Sequence, residues 1–141
     1  MSLAKNILLP TDGSRFMEKS IAYACSVVKS NKAKLTLLHV VALPILTEAE
    51  TIIDPKPLER AGKRILEKAK RLAKAGGVEA RTKMSEAVGS PTQAILKVIE
   101  KGKFDLVIVG AKGHSMLRDL LIGSVSDGIV HHAPCPVLVV R

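Results

Sequence analysis

Aromatic residues and cysteines are both scarce in this 141-residue sequence. It has no tryptophan, and its three aromatic residues are Phe16, Tyr23 and Phe104. These are too few for the stacking platforms on which single-strand nucleic-acid binders hold bases. Cys25 and Cys135 lie far apart, without a C-x-x-C motif or a histidine at ligand spacing. The sequence supports neither a disulfide framework nor a zinc site, and we expect both cysteines to lie in the core.

Long hydrophobic runs are missing as well. The longest, residues 35–46, contains His39 and Pro44 and falls short of the ~18 residues that a membrane-spanning helix needs. The first residues carry no apolar run of signal-peptide length before Pro10 and Asp12. The sequence therefore predicts a soluble, cytoplasmic protein with no membrane partner.

Length and composition are those of an ordinary globular chain. Hydrophobic residues make up 47% and charged residues 25%, a mixture that excludes disordered and fibrous proteins. At about 150 residues per domain, the chain forms one domain over residues 1–141. A domain of this size folds without disulfides or metal.

Short apolar runs alternate along the chain with longer segments of helical periodicity. This alternation is typical of βα units around a parallel sheet, and it predicts a single α/β domain with five strands and four main helices. The expected strands are Asn6–Pro10, 34–41, 78–84, 105–109 and Val137–Val140. The expected helices follow Ser14 and span 58–75, 91–101 and 125–132.

Local motifs predict how two of these helices begin. Ser14 is placed to cap the first helix. Ser90 fits an N-cap for the third, with Pro91 at the first helical position and Gln93 as the capping-box partner. Residues 42–57 contain three prolines and predict a long connection.

Two connections that leave strand ends are rich in special residues: Pro10 to Ser14, and Gly110 to Ser124. Ligands of open parallel sheets bind outside the carboxyl ends of the strands. Gly110 and Gly113 would let backbone N–H groups approach an anion. Gly123 and Ser124 would open a helix whose N-terminus suits a phosphate. Phosphate at two places would indicate a polyphosphate.

An ordinary structural role explains part of this pattern equally well. Ser124 and Asp127 form an S-x-x-D cap that any helix could use. The dinucleotide fingerprint G-x-G-x-x-G and the Walker pattern are both missing. Phosphate binding and helix capping therefore both stay open on the residue pattern alone.

The segment from Gly110 to Arg141, with G-x2-G-x9-G-S followed by HHAPCPVLVV, resembles the carboxyl-terminal signature of the universal stress protein family. The opening NILLPTDGS resembles that family's first strand and loop. Together the matches extend from about Lys5 to Arg141. The resemblance implies a three-layer α/β sandwich of the adenine-nucleotide-binding type, with a five-stranded parallel sheet of order 3-2-1-4-5.

The resemblance also implies ATP, or AMP or ADP, between strands one and four, with Mg or Mn carried on the phosphates. Asp12 would hold the ribose hydroxyls beside Pro10 and Thr11, while Val41 and Val40 would contact adenine. The remaining expected site residues are Gly89, Gly110, Lys112, Gly113, His114, Gly123, Ser124 and Val125, most of them around the phosphates.

The expected function is that of an ATP-binding regulatory protein, a nucleotide-dependent switch with slow or no hydrolysis. No base is well placed to activate water. An enzymatic alternative is a slow ATPase or an autophosphorylating protein modified at His114 or Ser115. The apolar strand Val137–Val140 would lie at a sheet edge, which predicts a homodimer. The sequence does not identify a protein partner.

Positive charge is concentrated in residues 56–83, where ten basic and three acidic residues give +7 of the total +9. Arg81 and Lys83 on one side of the third strand indicate an edge strand. In the second helix the basic residues recur every three or four positions: Arg60, Arg64, Lys68, Arg71 and Lys74. A solvated face is the ordinary interpretation. The alternative function is electrostatic binding of nucleic acid, which is less favoured, or of an acidic partner.

Overall fold

A computed structural model describes residues 4–46, 53–111 and 123–141. The elements, in chain order, are β1 (Asn6–Pro10), α1 (Met17–Asn31), β2 (Lys34–Leu43), α2 (Lys56–Ala75), β3 (Arg81–Val88), α3 (Thr92–Lys101), β4 (Leu106–Gly110), α4 (Ser124–His132) and β5 (Val137–Val140). The strands form one parallel sheet in the order β3-β2-β1-β4-β5. The predicted fold class and strand order are confirmed.

The central strand β1 lies between β2 and β4 and is buried on both faces. Leu8 aligns with Thr36 of β2 and with Val107 of β4. Because side chains alternate along a strand, Ile7 and Leu9 pack on one face and Leu8 on the other. Such short runs of Ile, Leu and Val are typical of parallel strands covered on both sides.

Helices cover the sheet in two layers, each with its own hydrophobic core. Residues of α1 and α2 pack with Ile7 and Leu9, and residues of α3 and α4 pack with Leu8 and Val107. The sheet between these cores completes the expected three-layer sandwich. No helix in the described ranges is long and apolar enough to cross a membrane.

Several expected details were wrong. The third strand begins at Arg81 and not at residue 78, because Val78 and Ala80 are buried in the connection that precedes it. The Ser14 side chain does not cap α1, which begins at Met17. The backbone carbonyl of Ser14 accepts the Met17 N–H at 3.0 Å. Cys135 is only partly buried beside the second core, whereas Cys25 lies inside the first as expected.

Both expected edge strands lie at the edges. β3 ends the sheet on one side, with Arg81 and Lys83 exposed, and β5 ends it on the other. Helix α3 begins at Thr92, one residue later than expected, and its N-cap is Pro91, so the expected capping box of Ser90 and Gln93 was wrong. The Thr92 N–H donates to the Ser90 hydroxyl at 3.4 Å.

Candidate ligand-binding crevice

A crevice lies at the carboxyl ends of β1 and β4, on the line where the direction of winding reverses. Its cavity is about 150 Å³. Its floor is apolar, formed by Leu9, Leu38, Met17, Ile95 and Val109, and hydroxyls and one carboxylate stand around it. Such a combination of apolar floor and few polar groups is typical of small-molecule sites.

The loop after β1 is held by its own backbone and side chains. The Thr11 N–H donates to the Leu38 carbonyl at 2.8 Å, and the Thr11 hydroxyl accepts the Gly13 N–H at 3.2 Å. Asp12 Oδ1 accepts the Ser14 N–H at 2.9 Å, which makes an Asx turn. Gly13 has φ +79°, a conformation that glycine adopts without strain. These bonds fix Asp12 at the mouth of the crevice.

The opposite wall joins the end of β4 to the start of α4. The Gly123 N–H donates to the Ala111 carbonyl at 3.0 Å, and the Ser126 hydroxyl donates to the Gly110 carbonyl at 2.7 Å. The N-cap of α4 is Gly123, which has no side chain with which to cap the helix. Ser124 is the first helical residue, so the S-x-x-D cap considered above does not form.

Three helices begin at this crevice. Its lining includes Phe16 and Met17 at the start of α1, Pro91 at the start of α3, and Ser124 at the start of α4. Helix N-termini carry partial positive charge and N–H groups without intrahelical partners. The Arg15 guanidinium lies 5.1 Å from the centre of the ring of Phe16, a residue of the lining. The three helix N-termini therefore favour an anion in the crevice.

Most of the expected site residues that the structure describes lie together in this crevice: Pro10, Thr11, Asp12, Val40, Gly110, Gly123, Ser124 and Val125. Two others are not in its lining. Val41 is 2% exposed and, by strand alternation, faces the side of the sheet opposite Val40. Gly89 donates its N–H to the Leu43 carbonyl at 2.7 Å. Lys112, Gly113 and His114 lie outside the described residues.

Sequence reasoning missed other residues of the crevice. His39, interpreted as a core histidine, does have a hydrogen-bond partner, but it is half-buried and belongs to the crevice wall. Ser20 and Ser126 also line the site. Ser126 follows Ser124 by two positions in the first turn of α4, which is the signal that could have found it. Nothing in the pattern around Ser20 distinguishes it from any buried helix residue.

Across residues 4–46, 53–111 and 123–141, no cluster of three histidine, cysteine, aspartate or glutamate side chains is arranged to hold a metal ion. Burial raises the pKa of both cysteine thiols, Cys25 and Cys135. Neither thiol lines the crevice.

The sheet order and the position of the crevice define an α/β protein with the fold of adenine-nucleotide-binding proteins. The sequence model of the universal stress protein family matches residues 4–141, and the chain belongs to that family. It is 33% identical to a universal stress protein of Methanocaldococcus jannaschii, over 99% of this chain and 84% of that protein. It is also 33% identical to universal stress protein YxiE of Bacillus subtilis, over 96% of this chain and 97% of that protein.

Solved structures agree with this assignment. A universal stress protein in complex with cAMP is 25% identical, with a TM-score of 0.74 over 99% of this chain and 98% of that one. A universal stress protein family member from Arabidopsis thaliana with AMP bound has a TM-score of 0.65 and 22% identity, over 96% of this chain and 90% of that one. The second likeness shows the fold alone.

Proposed function

We propose that this protein binds ATP in the crevice and acts as a nucleotide-dependent regulatory switch. The observation that supports this most directly is the start of three helices around one crevice that also holds Asp12. Polyphosphate suits the helix N-termini, and a carboxylate suits ribose hydroxyls better than phosphate. Related folds with cAMP and AMP bound favour an adenine nucleotide.

Each part of the nucleotide has an expected place. The adenine ring lies on the apolar floor beside Val40, with Val41 on the other side of the same strand. Asp12 accepts hydrogen bonds from the ribose hydroxyls next to Pro10 and Thr11. The phosphates lie against the backbone of Gly110 and the first turn of α4. The rest of the proposed site is Gly89, Lys112, Gly113, His114, Gly123, Ser124 and Val125. A bound Mg or Mn ion would neutralise phosphate charge, held by the phosphates themselves.

Hydrolysis is expected to be slow or not to occur. Among the described residues of the lining, the side chains able to take a proton are Asp12 and His39. His39 Nδ1 contacts the Thr11 carbonyl, and its Nε2 lies toward α2, 3.3 Å from where a Cβ at Gly62 would be. The Asp12 carboxylate accepts the Ser14 N–H and is assigned to the ribose hydroxyls. We therefore propose neither group as a general base for water.

Gly123 offers a direct test of phosphate binding. Its φ is −60°, and the described atom nearest to an added Cβ is the Ala111 carbonyl oxygen at 3.9 Å. Gly123→Val is therefore expected to fold normally while its side chain obstructs the approach of a phosphate. Protein purified without added nucleotide is denatured and the released small molecules identified by mass, and stripped protein is titrated calorimetrically with Mg-ATP.

The wild type should release or bind ATP, and Gly123→Val should lose that binding while Gly123→Ala loses less. Ala22→Val, on the exposed side of α1, is the control for adding a branched side chain elsewhere. A wild-type protein that carries no nucleotide and takes up none would overturn the proposal.

A second candidate function rests on α2. Eight basic side chains of this helix are exposed, and five of them recur every three or four positions: Arg60, Arg64, Lys68, Arg71 and Lys74. Such a face suits an acidic partner or nucleic acid, attracted electrostatically and released by salt. Changing Arg64 and Arg71 to Glu should abolish capture of such a partner and leave ATP binding intact. If the same change removes ATP binding and leaves the capture of an acidic partner or nucleic acid unaltered, this candidate function fails.

We further propose that the protein is a homodimer formed through β5. This strand lies at the sheet edge, and Val137, Leu138 and Val139 are each only partly buried in the single chain. An apolar edge strand without charge is a template for pairing with another chain.

A further inference from the structure

A second groove lies away from the crevice, between β3 and α3. Its cavity is about 610 Å³. Arg81 and Lys83 of β3 line one side and Lys97 and Lys101 of α3 line the other. All four side chains are exposed. The groove therefore carries a row of cations on each wall.

The backbone sets the spacing within each row. Arg81 and Lys83 are two residues apart on a strand, so their side chains leave the same face about 6.6 Å apart. Lys97 and Lys101 are four apart on a helix and adjacent on its surface, about 5–6 Å between Cβ atoms. Lys83 aligns with Leu38, a residue of the core under α3, which places the β3 pair on the α3 side of the sheet.

Throughout the described ranges, none of the four cations of the groove forms an ion pair within 4 Å. Among the described residues, the acidic residue of the lining is Glu86, and its interaction with Glu59 of α2 raises the pKa of the Glu59 carboxyl. The groove thus presents an excess of positive charge to solvent.

Hydroxyl groups complete a lining suited to phosphates. Thr36, Thr82 and Ser85 belong to the lining, and Thr36 and Ser85 lie on the α3 side of the sheet with Arg81 and Lys83. Arginine, lysine, serine and threonine side chains make most protein contacts to nucleic-acid backbones. In the part of the chain that the structure describes, the apolar lining consists of Ala94, Val98 and the ring of Phe104, a small area for the hydrophobic anchors of an acidic peptide.

We propose that this groove binds the sugar–phosphate backbone of a single-stranded nucleic acid, with little preference for base sequence. The two rows of cations fit a linear chain of phosphates that runs between them. Among the described residues, Phe104 is the one aromatic ring in the lining, so base stacking is restricted to a single contact and sequence is read weakly. This activity does not depend on nucleotide in the crevice.

Fluorescence anisotropy with a labelled, mixed-sequence single-stranded RNA tests the proposal. The full chain should bind, and the logarithm of the affinity should fall with the logarithm of salt concentration with a slope of about −3, from four phosphates at about 0.7 each. Replacing Lys83 and Lys97 together with Ala should weaken binding at least about tenfold and reduce the slope by about 1.4.

Arg64→Ala combined with Arg71→Ala tests the competing basic face of α2, and Lys19→Ala combined with Lys29→Ala is the matched control, because it removes the same charge from exposed positions of α1. Both double variants should leave the affinity and the slope nearly unchanged, and Asp12→Ala should bind RNA like the wild type even if its ATP binding is lost. Circular dichroism melting establishes that each variant is folded.

Several results would overturn the proposal. Equal losses in the groove and α2 variants would mean diffuse attraction by net charge. A larger loss in the α2 variant would assign the RNA to that helix. Competition by polyglutamate as effective as competition by unlabelled RNA would indicate an acidic protein partner, and tighter binding of duplex than of single-stranded RNA would exclude the proposed fit.

Discussion

The imidazole Nδ1 of His39 lies 2.9 Å from the carbonyl oxygen of Thr11. Because a carbonyl oxygen only accepts hydrogen bonds, Nδ1 carries the hydrogen in this contact. The other side of the ring faces α2, where a Cβ added at Gly62 would lie 2.7 Å from His39 Cδ2. The histidine thus lies between the loop that carries Asp12 and the helix that carries most of the positive charge.

Gly62 is expected to be required by the His39 ring. Gly62→Ala should lower the free energy of unfolding by about 1–3 kcal/mol, the usual cost of overpacking. In a His39→Ala background the clash with the ring is removed, and alanine's higher helix propensity, about 1 kcal/mol over glycine, should make Gly62→Ala neutral or stabilising. Urea denaturation of the four proteins measures this. Equal losses in both backgrounds would show that the ring is not the cause.

Gly13 is expected to be constrained by both its backbone and its neighbour. Gly13 and Gly89 share a φ of +79°, but an added Cβ lies 2.7 Å from Ile65 Cδ1 at Gly13 and 3.3 Å from Ile45 Cδ1 at Gly89. Both alanine variants pay about 1–2 kcal/mol for the left-handed backbone, and Gly13→Ala pays the contact with Ile65 in addition. Thermal melts should therefore rank Gly13→Ala below Gly89→Ala. The opposite order would remove Ile65 from the explanation.

Asp12 is expected to distinguish ribose from deoxyribose. A charged hydrogen bond contributes about 1.5–3 kcal/mol, so the wild type should bind ATP about tenfold or more tighter than 2′-deoxy-ATP. Asp12→Ala should bind the two nucleotides equally. Asp12→Asn retains an oxygen for the Ser14 N–H and serves as the control for the turn. Calorimetric titration with both nucleotides decides, and an unchanged preference in Asp12→Ala would refute the assigned role.

Glu59 and Glu86 predict a pH dependence of stability. The hydrogen bond with Glu86, together with repulsion from Glu86 and Asp54, raises the pKa of Glu59 above its usual value. A carboxyl with a raised folded-state pKa stabilises the fold below its unfolded pKa, about 4.3, and this contribution is lost as the pH rises through the raised value. The wild type should therefore gain most over Glu86→Gln near pH 4 and lose that advantage by pH 7.

Melting temperatures of wild type, Glu86→Gln and Glu67→Gln across this range provide the measurement. Glu67 is an exposed carboxylate of α2 and controls for the loss of one negative charge. A constant difference in melting temperature between wild type and Glu86→Gln at every pH would contradict the raised pKa of Glu59.

The proposed homodimer predicts a specific response to charge on β5. Analytical ultracentrifugation at micromolar concentration should show a dimer for the wild type and a monomer for Val139→Lys. Val88→Lys, on the exposed end of the opposite edge strand β3, should remain dimeric. A wild-type monomer at this concentration would end the proposal.

Periodicity was sufficient to predict a parallel α/β domain with five strands and four helices. The three layers and the strand order came from the resemblance, and neither source could predict contacts between distant residues. The alternation around Val78 and Ala80 looks the same whether those residues pair as a strand or lie buried in a connection. Ser14 looked like a helix cap because sequence cannot show that Asp12 accepts its N–H. His39 lies within an apolar run of the sequence. Its position in the crevice depends on its contacts with Thr11 and with the helix at Gly62, which are close to it only in the folded protein.

The basic groove shows the same limit. Arg81 and Lys83 were predicted to share one side of an edge strand. Lys97 and Lys101 were predicted to fall within the third helix. That the two pairs face each other follows from the crossover that lays α3 on the same face of the sheet, and no local pattern encodes this.

The two hydrophobic cores lie on opposite faces of the sheet, and at the crevice residues from both layers reach the same space: Met17 from one, Ile95 and Ile129 from the other. A bound molecule there ties the layers together around the end of the sheet. Opening of either layer would then require the ligand to leave, so amide hydrogen exchange should slow in α1 and α4 together when the crevice is filled. Occupancy would thus stabilise both layers of the domain together.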